Sequence, residues 1–102
     1  MGRADNKVVL VTGGARGMGE AHARRLVQEG ASVAIGDVNT EAGQAVAESL
    51  GAGARFVQLD VTDPDQWNRA VEETESAFGT LTSLINNAGI VHRQRLDRKS
   101  VV

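Results

Sequence analysis

The apolar positions of this chain switch repeatedly between two periods. Residues 8–11, VVLV, form an unbroken β-branched and apolar run, which reads as a central strand covered on both faces. Over 17–29 the spacing becomes helical, with Met18, Ala21, Ala23, Leu26 and Val27 as the apolar face and Gly30 placed to end the helix. SVAIGD at 32–37 is a second strand, and a helix over 41–50 carries Ala42, Ala45, Val46 and Leu50 at helical steps. After a loop at Gly51-Ala52-Gly53, RFVQLD at 55–60 alternates as a third strand. The next helix has the plainest start signal: Asp63 to cap, Pro64 at the first helical position, and Gln66 to complete a capping box with Asp63. Trp67, Ala70, Val71, Thr74, Ala77 and Phe78 then mark its apolar face until Gly79, and a fourth strand over 81–86 runs into Asn87-Ala88-Gly89.

Strands alternating with helices of this length require a parallel sheet with right-handed crossovers. The expected class is α/β, a Rossmann-type doubly wound parallel sheet of order 3-2-1-4, truncated after the fourth strand. A fourth strand that should be central would then be an unprotected apolar edge. There is no internal repeat, linker or low-complexity stretch.

Composition narrows the field. A chain of 102 residues is enough for one small domain and short for a dinucleotide fold of two mononucleotide halves. The net charge of −2 makes no electrostatic case for nucleic acid or an anionic membrane as a partner. With no cysteine, a disulfide framework, a thiolate nucleophile and a thiolate metal site are all excluded. The first apolar run is too short for a signal sequence or a membrane span, so a cytoplasmic location is the default expectation. Glycine is abundant, at 12, and tyrosine is absent. The first suggests close backbone approach to a ligand, and the second removes one class of acid–base catalyst.

The sharpest local signal is Thr12-Gly13-Gly14-Ala15-Arg16-Gly17-Met18-Gly19, between the first strand and the first helix. A diphosphate needs close backbone approach, free N–H donors and the positive end of a helix dipole. Gly13 would turn the chain, Gly17 admit the phosphates and Gly19 let the helix pack on the sheet, although three glycines near a turn also arise from packing alone. Asp37 ends the second strand about 20 residues later, where a carboxylate can accept from both hydroxyls of an adenosine ribose and would repel a 2′-phosphate. It reads equally as a loop-starting aspartate. Arg16 could pair with a 2′-phosphate, or lie against adenine or Asp37. The balance favours NAD over NADP.

Asp60 could accept from the adenine amino group while Val61 covers the ring edge, or Asp60 could only organise the turn into the next helix. Asn86 and Asn87 carry donor and acceptor together, suited to tying strand ends or lining a cleft, and Ala88-Gly89 leaves room beside the backbone. His22 and His92 have no second ligand at metal spacing. No metal site and no catalytic residue can be assigned.

Together, the glycine turn, Asp37, Leu59-Asp60-Val61 and Asn86-Asn87-Ala88-Gly89 resemble the short-chain dehydrogenase/reductase family over about residues 7–91. The stretch from Gly13 to Val38 is similar to bacterial hydroxysteroid dehydrogenases and 3-oxoacyl-carrier-protein reductases within it. The resemblance implies that Gly13, Arg16, Gly17, Met18 and Gly19 surround the diphosphate and adenosine. It implies that Asp37 and Val38 hold the adenosine ribose, that Asp60 and Val61 hold the adenine, and that Asn87, Ala88 and Gly89 flank the nicotinamide ribose. Asn86 would instead stabilise the sheet. The implied activity is hydride transfer between nicotinamide and an alcohol or ketone, in a homo-oligomer. The family's acid–base tyrosine, four residues before a lysine, has no counterpart: the chain has no tyrosine, and its lysines are Lys7 and Lys99.

Residues 1–96 are therefore expected to be the N-terminal part of an NAD(P)-binding Rossmann domain, and 97–102 a non-family tail. That tail is what GATCGGAAGAGCGTCGTG encodes, a string of a common sequencing-library adapter whose next triplet is TAG, so read-through from a cut gene is the expectation. Two other readings stand beside the dehydrogenase: a stand-alone nucleotide-binding or regulatory module, and a methyltransferase, which the NNAG turn and the Asp60-Val61 pair disfavour.

Overall fold

The structure, a computed structural model, describes residues 6–15, 17–87 and 100–101. Arg16, Ala88, Gly89 and His92 lie outside the described residues. The chain runs β1 (Val8–Thr12), α1 (Gly17–Gln28), β2 (Ser32–Asp37), α2 (Thr40–Leu50), a single 3-10 turn, β3 (Ala54–Gln58), α3 (Pro64–Phe78), β4 (Ser83–Asn86) and β5 (Ser100–Val101). The sheet is parallel throughout, in the order β3-β2-β1-β4-β5. The expected 3-2-1-4 order holds for its first four strands.

Because β1 lies between two strands and two helical layers, every one of its residues is buried. Successive side chains of a strand point to opposite faces. Val8 and Leu10 join Ala34, Val57, Leu59, Trp67, Val71 and Leu84 on the α3 side. Val9 and Val11 join Val33, Ile35, Ala23 and Val46 on the α1–α2 side. That two-sided burial is why the run reads as continuously apolar rather than alternating.

The helices rotate differently from the spacing alone. In α1 the buried residues are Gly19 and Ala23, with Leu26 and Val27 packed behind them. Met18, expected on the apolar face, is 72% exposed, and Ala21 is exposed as well. In α2, Gly43, Val46 and Ala47 are buried and Ala45 faces solvent. A Cβ at Gly43 would collide with the Phe56 ring, so the bare glycine is what lets α2 lie against β3. In α3, Trp67, Ala70, Val71 and Thr74 are buried as expected, while Ala77 is exposed.

The start of α3 corrects the capping-box reading. Asp63 caps as expected, accepting the Asp65 and Gln66 amides at 3.0 and 3.3 Å. Gln66 does not return the bond to Asp63. The Asp63 N–H is already donated to the Asp60 carbonyl at 3.0 Å, and Gln66 Oε1 accepts the Asp60 N–H at 2.9 Å instead.

β4 is not left bare along its length. Ser83 and Leu84 pair with Ser100 and Val101, so the expected unprotected edge is partly covered. No helix among the described residues is long and apolar enough to cross a membrane.

Candidate cofactor-binding site

The C-terminal ends of β1, β2 and β4 and the turn after β3 converge on one edge of the sheet, where the sequence placed its candidate residues. After β1 the chain turns at Gly13, whose φ is 65°. The Gly13 N–H donates to the Gly36 carbonyl at 2.7 Å, the Gly14 N–H reaches the same oxygen at 3.3 Å, and the Ala15 N–H donates to Asp37 Oδ2 at 3.1 Å. The first three amides of the turn are therefore held by β2. Donors for an anion have to come from the start of α1, where a helix leaves its first N–H groups without intrahelical partners.

Gly17 and Gly19 serve different ends there. Gly17 has φ 61°, is exposed, and a Cβ built on it would meet nothing within 4 Å. Gly19 is buried, and a Cβ on it would strike the Gly13 carbonyl and come within 3.0 Å of Gly14 Cα. Gly19 thus lets α1 seat against the glycine turn.

Asp37 is 9% exposed. Its Oδ2 holds Ala15 and its Oδ1 accepts the Asn39 N–H at 3.0 Å. Asn39 in turn caps α2 by accepting the Ala42 amide at 3.0 Å. A carboxylate offers about four lone-pair sites, so two bonds leave capacity for ribose hydroxyls. Beside it Val38 is 62% exposed.

Asp60 lies at the turn after β3. Its Oδ1 accepts from the Thr62 N–H at 2.9 Å and the Thr62 hydroxyl at 2.6 Å. The hydroxyl first, and the amide second, hold its carboxyl below its ordinary value of 3.8. Val61 is 7% exposed and belongs to the core around Trp67. Its side chain is therefore spent on packing, and only its backbone remains to meet a ring edge.

Thr12 is the residue whose part the sequence did not reveal. Fully buried at the end of β1, it donates its hydroxyl to Asn86 Oδ1 at 2.8 Å and accepts the Asn87 N–H at 3.0 Å. Asn86 ties β4 to β1, as expected of it, while Asn87 is exposed at the sheet edge. The one signal was a hydroxyl-bearing β-branched residue closing an apolar run. Among the described residues no group of three His, Cys, Asp or Glu side chains could hold a metal ion.

The sequence model of the family described as short chain dehydrogenase matches residues 7–101. The chain belongs to this family. Several short-chain dehydrogenases with assigned activities are similar to it. A 3-alpha-(or 20-beta)-hydroxysteroid dehydrogenase of Mycobacterium tuberculosis is 55% identical over 91 residues, covering 89% of this chain and 35% of the relative. A 2,5-dichloro-2,5-cyclohexadiene-1,4-diol dehydrogenase of Sphingobium indicum is 45% identical, covering 97% of this chain and 41% of the relative. A cyclopentanol dehydrogenase of Comamonas testosteroni is 50% identical, over 89% of this chain and 38% of the relative. The chain thus spans well under half the length of these short-chain dehydrogenases. Such relatives make oxidoreductase chemistry with a nicotinamide cofactor the function of the family to which its fold and motifs belong.

Proposed function

We propose that this chain is the cofactor-binding half of an NAD(H)-dependent oxidoreductase that transfers hydride between nicotinamide and an alcohol or ketone. The observation that carries the reading is the pairing of an open glycine at the start of α1 with a carboxylate at the end of β2. The exposed Gly17, with no Cβ and nothing within 4 Å of where one would lie, suits the oxygens of a diphosphate. In this reading Gly13 and Gly19 shape the turn, and Arg16, Gly17 and Met18 surround the diphosphate and adenosine. Asp37 and Val38 take the adenosine ribose, Asp60 and the Val61 backbone the adenine, and Asn87, Ala88 and Gly89 the nicotinamide ribose. Asp37 favours ribose hydroxyls over a 2′-phosphate, hence NAD over NADP.

The bound nicotinamide supplies the hydride acceptor or donor. This chain's own residues bind and orient it, and none of them is assigned to move the substrate proton. The relatives are named for a hydroxysteroid, a cyclohexadiene diol and cyclopentanol, which supports a small-molecule alcohol or ketone as substrate. A cytoplasmic homo-oligomer is the proposed form of the full-length protein.

A chimera tests the reading. Residues 1–91 are joined to the remainder of the Mycobacterium tuberculosis relative, and steroid-dependent NADH formation is followed at 340 nm. The chimera is expected to turn over with NAD in preference to NADP, and the 102-residue chain alone to show no turnover and weak or no NADH binding. Turnover by the pure 102-residue chain, or a well-folded chimera that binds no dinucleotide, would overturn it.

A further inference from the structure

The turn after β3 is held by more bonds than a turn needs. The Asp60 carbonyl accepts the Asp63 N–H at 3.0 Å, which by itself closes the turn. In addition, the Gln66 side chain reaches back from the first turn of α3 to accept the Asp60 N–H at 2.9 Å. Thr62 donates both its amide and its hydroxyl to Asp60 Oδ1. The backbone of Gln66 is itself held, its main-chain N–H donating to Asp63 Oδ1 at 3.3 Å.

The result is an asymmetric carboxylate. Both protein bonds fall on Oδ1, and Oδ2 receives none among the described residues. The Asp60 backbone is pinned by Gln66 and its side-chain torsion by Thr62, so Oδ2 is left as a fixed acceptor with no donor function. The two bonds from Thr62 also keep the group in its charged form, through the lowered proton affinity described above.

We infer that Thr62 and Gln66 are positioning residues that make the base site selective for a 6-aminopurine over a 6-oxopurine. The inference rests on the proposed placement of adenosine at this edge of the sheet. An exocyclic amino group donates to a fixed, charged acceptor. A 6-oxo group brings a second acceptor against the same oxygen, and both are then left without a donor. Discrimination of this kind depends on the acceptor staying where it is, because a carboxylate free to rotate can turn away from the oxo group. Loss of Thr62 or Gln66 should therefore relax the choice of base more than it weakens nucleotide binding as such. A role confined to turn stability would lower affinity for both bases equally.

The test uses the chimera of residues 1–91 with the remainder of the Mycobacterium tuberculosis relative, ¹⁵N-labelled and titrated with 5′-AMP and 5′-IMP while the amide shifts of Gly17, Met18, Gly19 and Thr62 are followed. The expected wild-type preference for AMP is roughly tenfold, the discrimination available to one charge-assisted hydrogen bond. Thr62→Ser keeps the hydroxyl and should keep the preference; Thr62→Val and Gln66→Leu should bring the two affinities to within about twofold. Should Gln66→Leu fail to fold, the Thr62→Ser and Thr62→Val pair carries the comparison alone. Equal binding of AMP and IMP by the unsubstituted chimera, or an unchanged ratio in Thr62→Val, overturns the inference and leaves the adenosine site standing. If neither nucleotide moves the Gly17–Gly19 amides, the adenosine placement falls and the inference falls with it.

Discussion

Asp37 Oδ2 accepts the Ala15 amide at 3.1 Å, joining the end of β2 to the glycine turn across 22 residues of sequence. The same carboxylate holds the Asn39 amide through Oδ1. A residue read from spacing as the ribose acceptor is thus also the post to which the glycine turn is tied. Any exchange made here to alter the choice between NAD and NADP also loosens the turn.

Asp37→Ala leaves the buried Ala15 amide and the Asn39 amide without their acceptor, and the expected loss is about 1–3 kcal/mol of unfolding free energy. Asp37→Asn is expected to lose a substantial part of that as well, because its amide nitrogen faces one of the two N–H donors. Urea denaturation followed by circular dichroism measures both, and full stability in Asp37→Asn would show that the Ala15 bond contributes nothing.

Gly17 and Gly19 should separate under substitution. Gly19→Ala drives a methyl group into the Gly13 backbone, and about 1–3 kcal/mol of destabilisation is expected from the overpacking. Gly17→Ala meets no atom but holds φ at 61°, costing about 1–2 kcal/mol of backbone strain. Its larger effect should be on nucleotide binding, since the methyl group would occupy the space proposed for the diphosphate. Denaturation of the chain and an ADP-ribose titration of the chimera, each run with both substitutions, distinguish the two losses.

The Asp60 carboxyl titrates below its ordinary value of 3.8 because Thr62 donates to it twice. A depressed folded value contributes stability that is present above the unfolded value and is lost as the pH falls through the folded one. The affected window therefore lies below pH 3.8. Thr62→Val should raise the Asp60 midpoint toward the ordinary value, read from the ¹³C shift of its carboxyl carbon. An unmoved midpoint would refute the assignment to the hydroxyl.

Thr12→Val removes a buried hydroxyl that joins the ends of β1 and β4. It removes the hydroxyl that donates to Asn86 Oδ1 and weakens the hold on the Asn87 amide, which keeps the 3.3 Å bond to the Thr12 carbonyl. About 1–3 kcal/mol of destabilisation and faster hydrogen exchange at Asn87 are expected, with Thr12→Ser close to wild type. Wild-type exchange at Asn87 in Thr12→Val would show the link to be unimportant.

The sequence by itself determined the order and type of the principal elements and brought its candidate residues to one edge of the sheet. VVLV is apolar throughout because β1 is covered twice, and the alternation of strand and helix periods leaves only parallel crossovers. Asp63-Pro64 fixed the start of α3 because cap and N1 chemistry acts between neighbours in sequence. Local rules of that kind are legible without a fold. What depended on contacts between distant segments was not. Gly19 meets Gly13, so α1 turns Met18 and Ala21 outward; Gly43 meets Phe56, so α2 buries Ala47 in place of Ala45. Gln66 reached past its expected partner because the Asp60 carbonyl had already claimed the Asp63 amide. The start of β4 moved from residue 81 to Ser83, where Thr82 trades side-chain bonds with both backbone groups of Val8 across 74 positions. Each of these outcomes is a competition between partners far apart in the chain, and only the packed tertiary structure decides which partner wins.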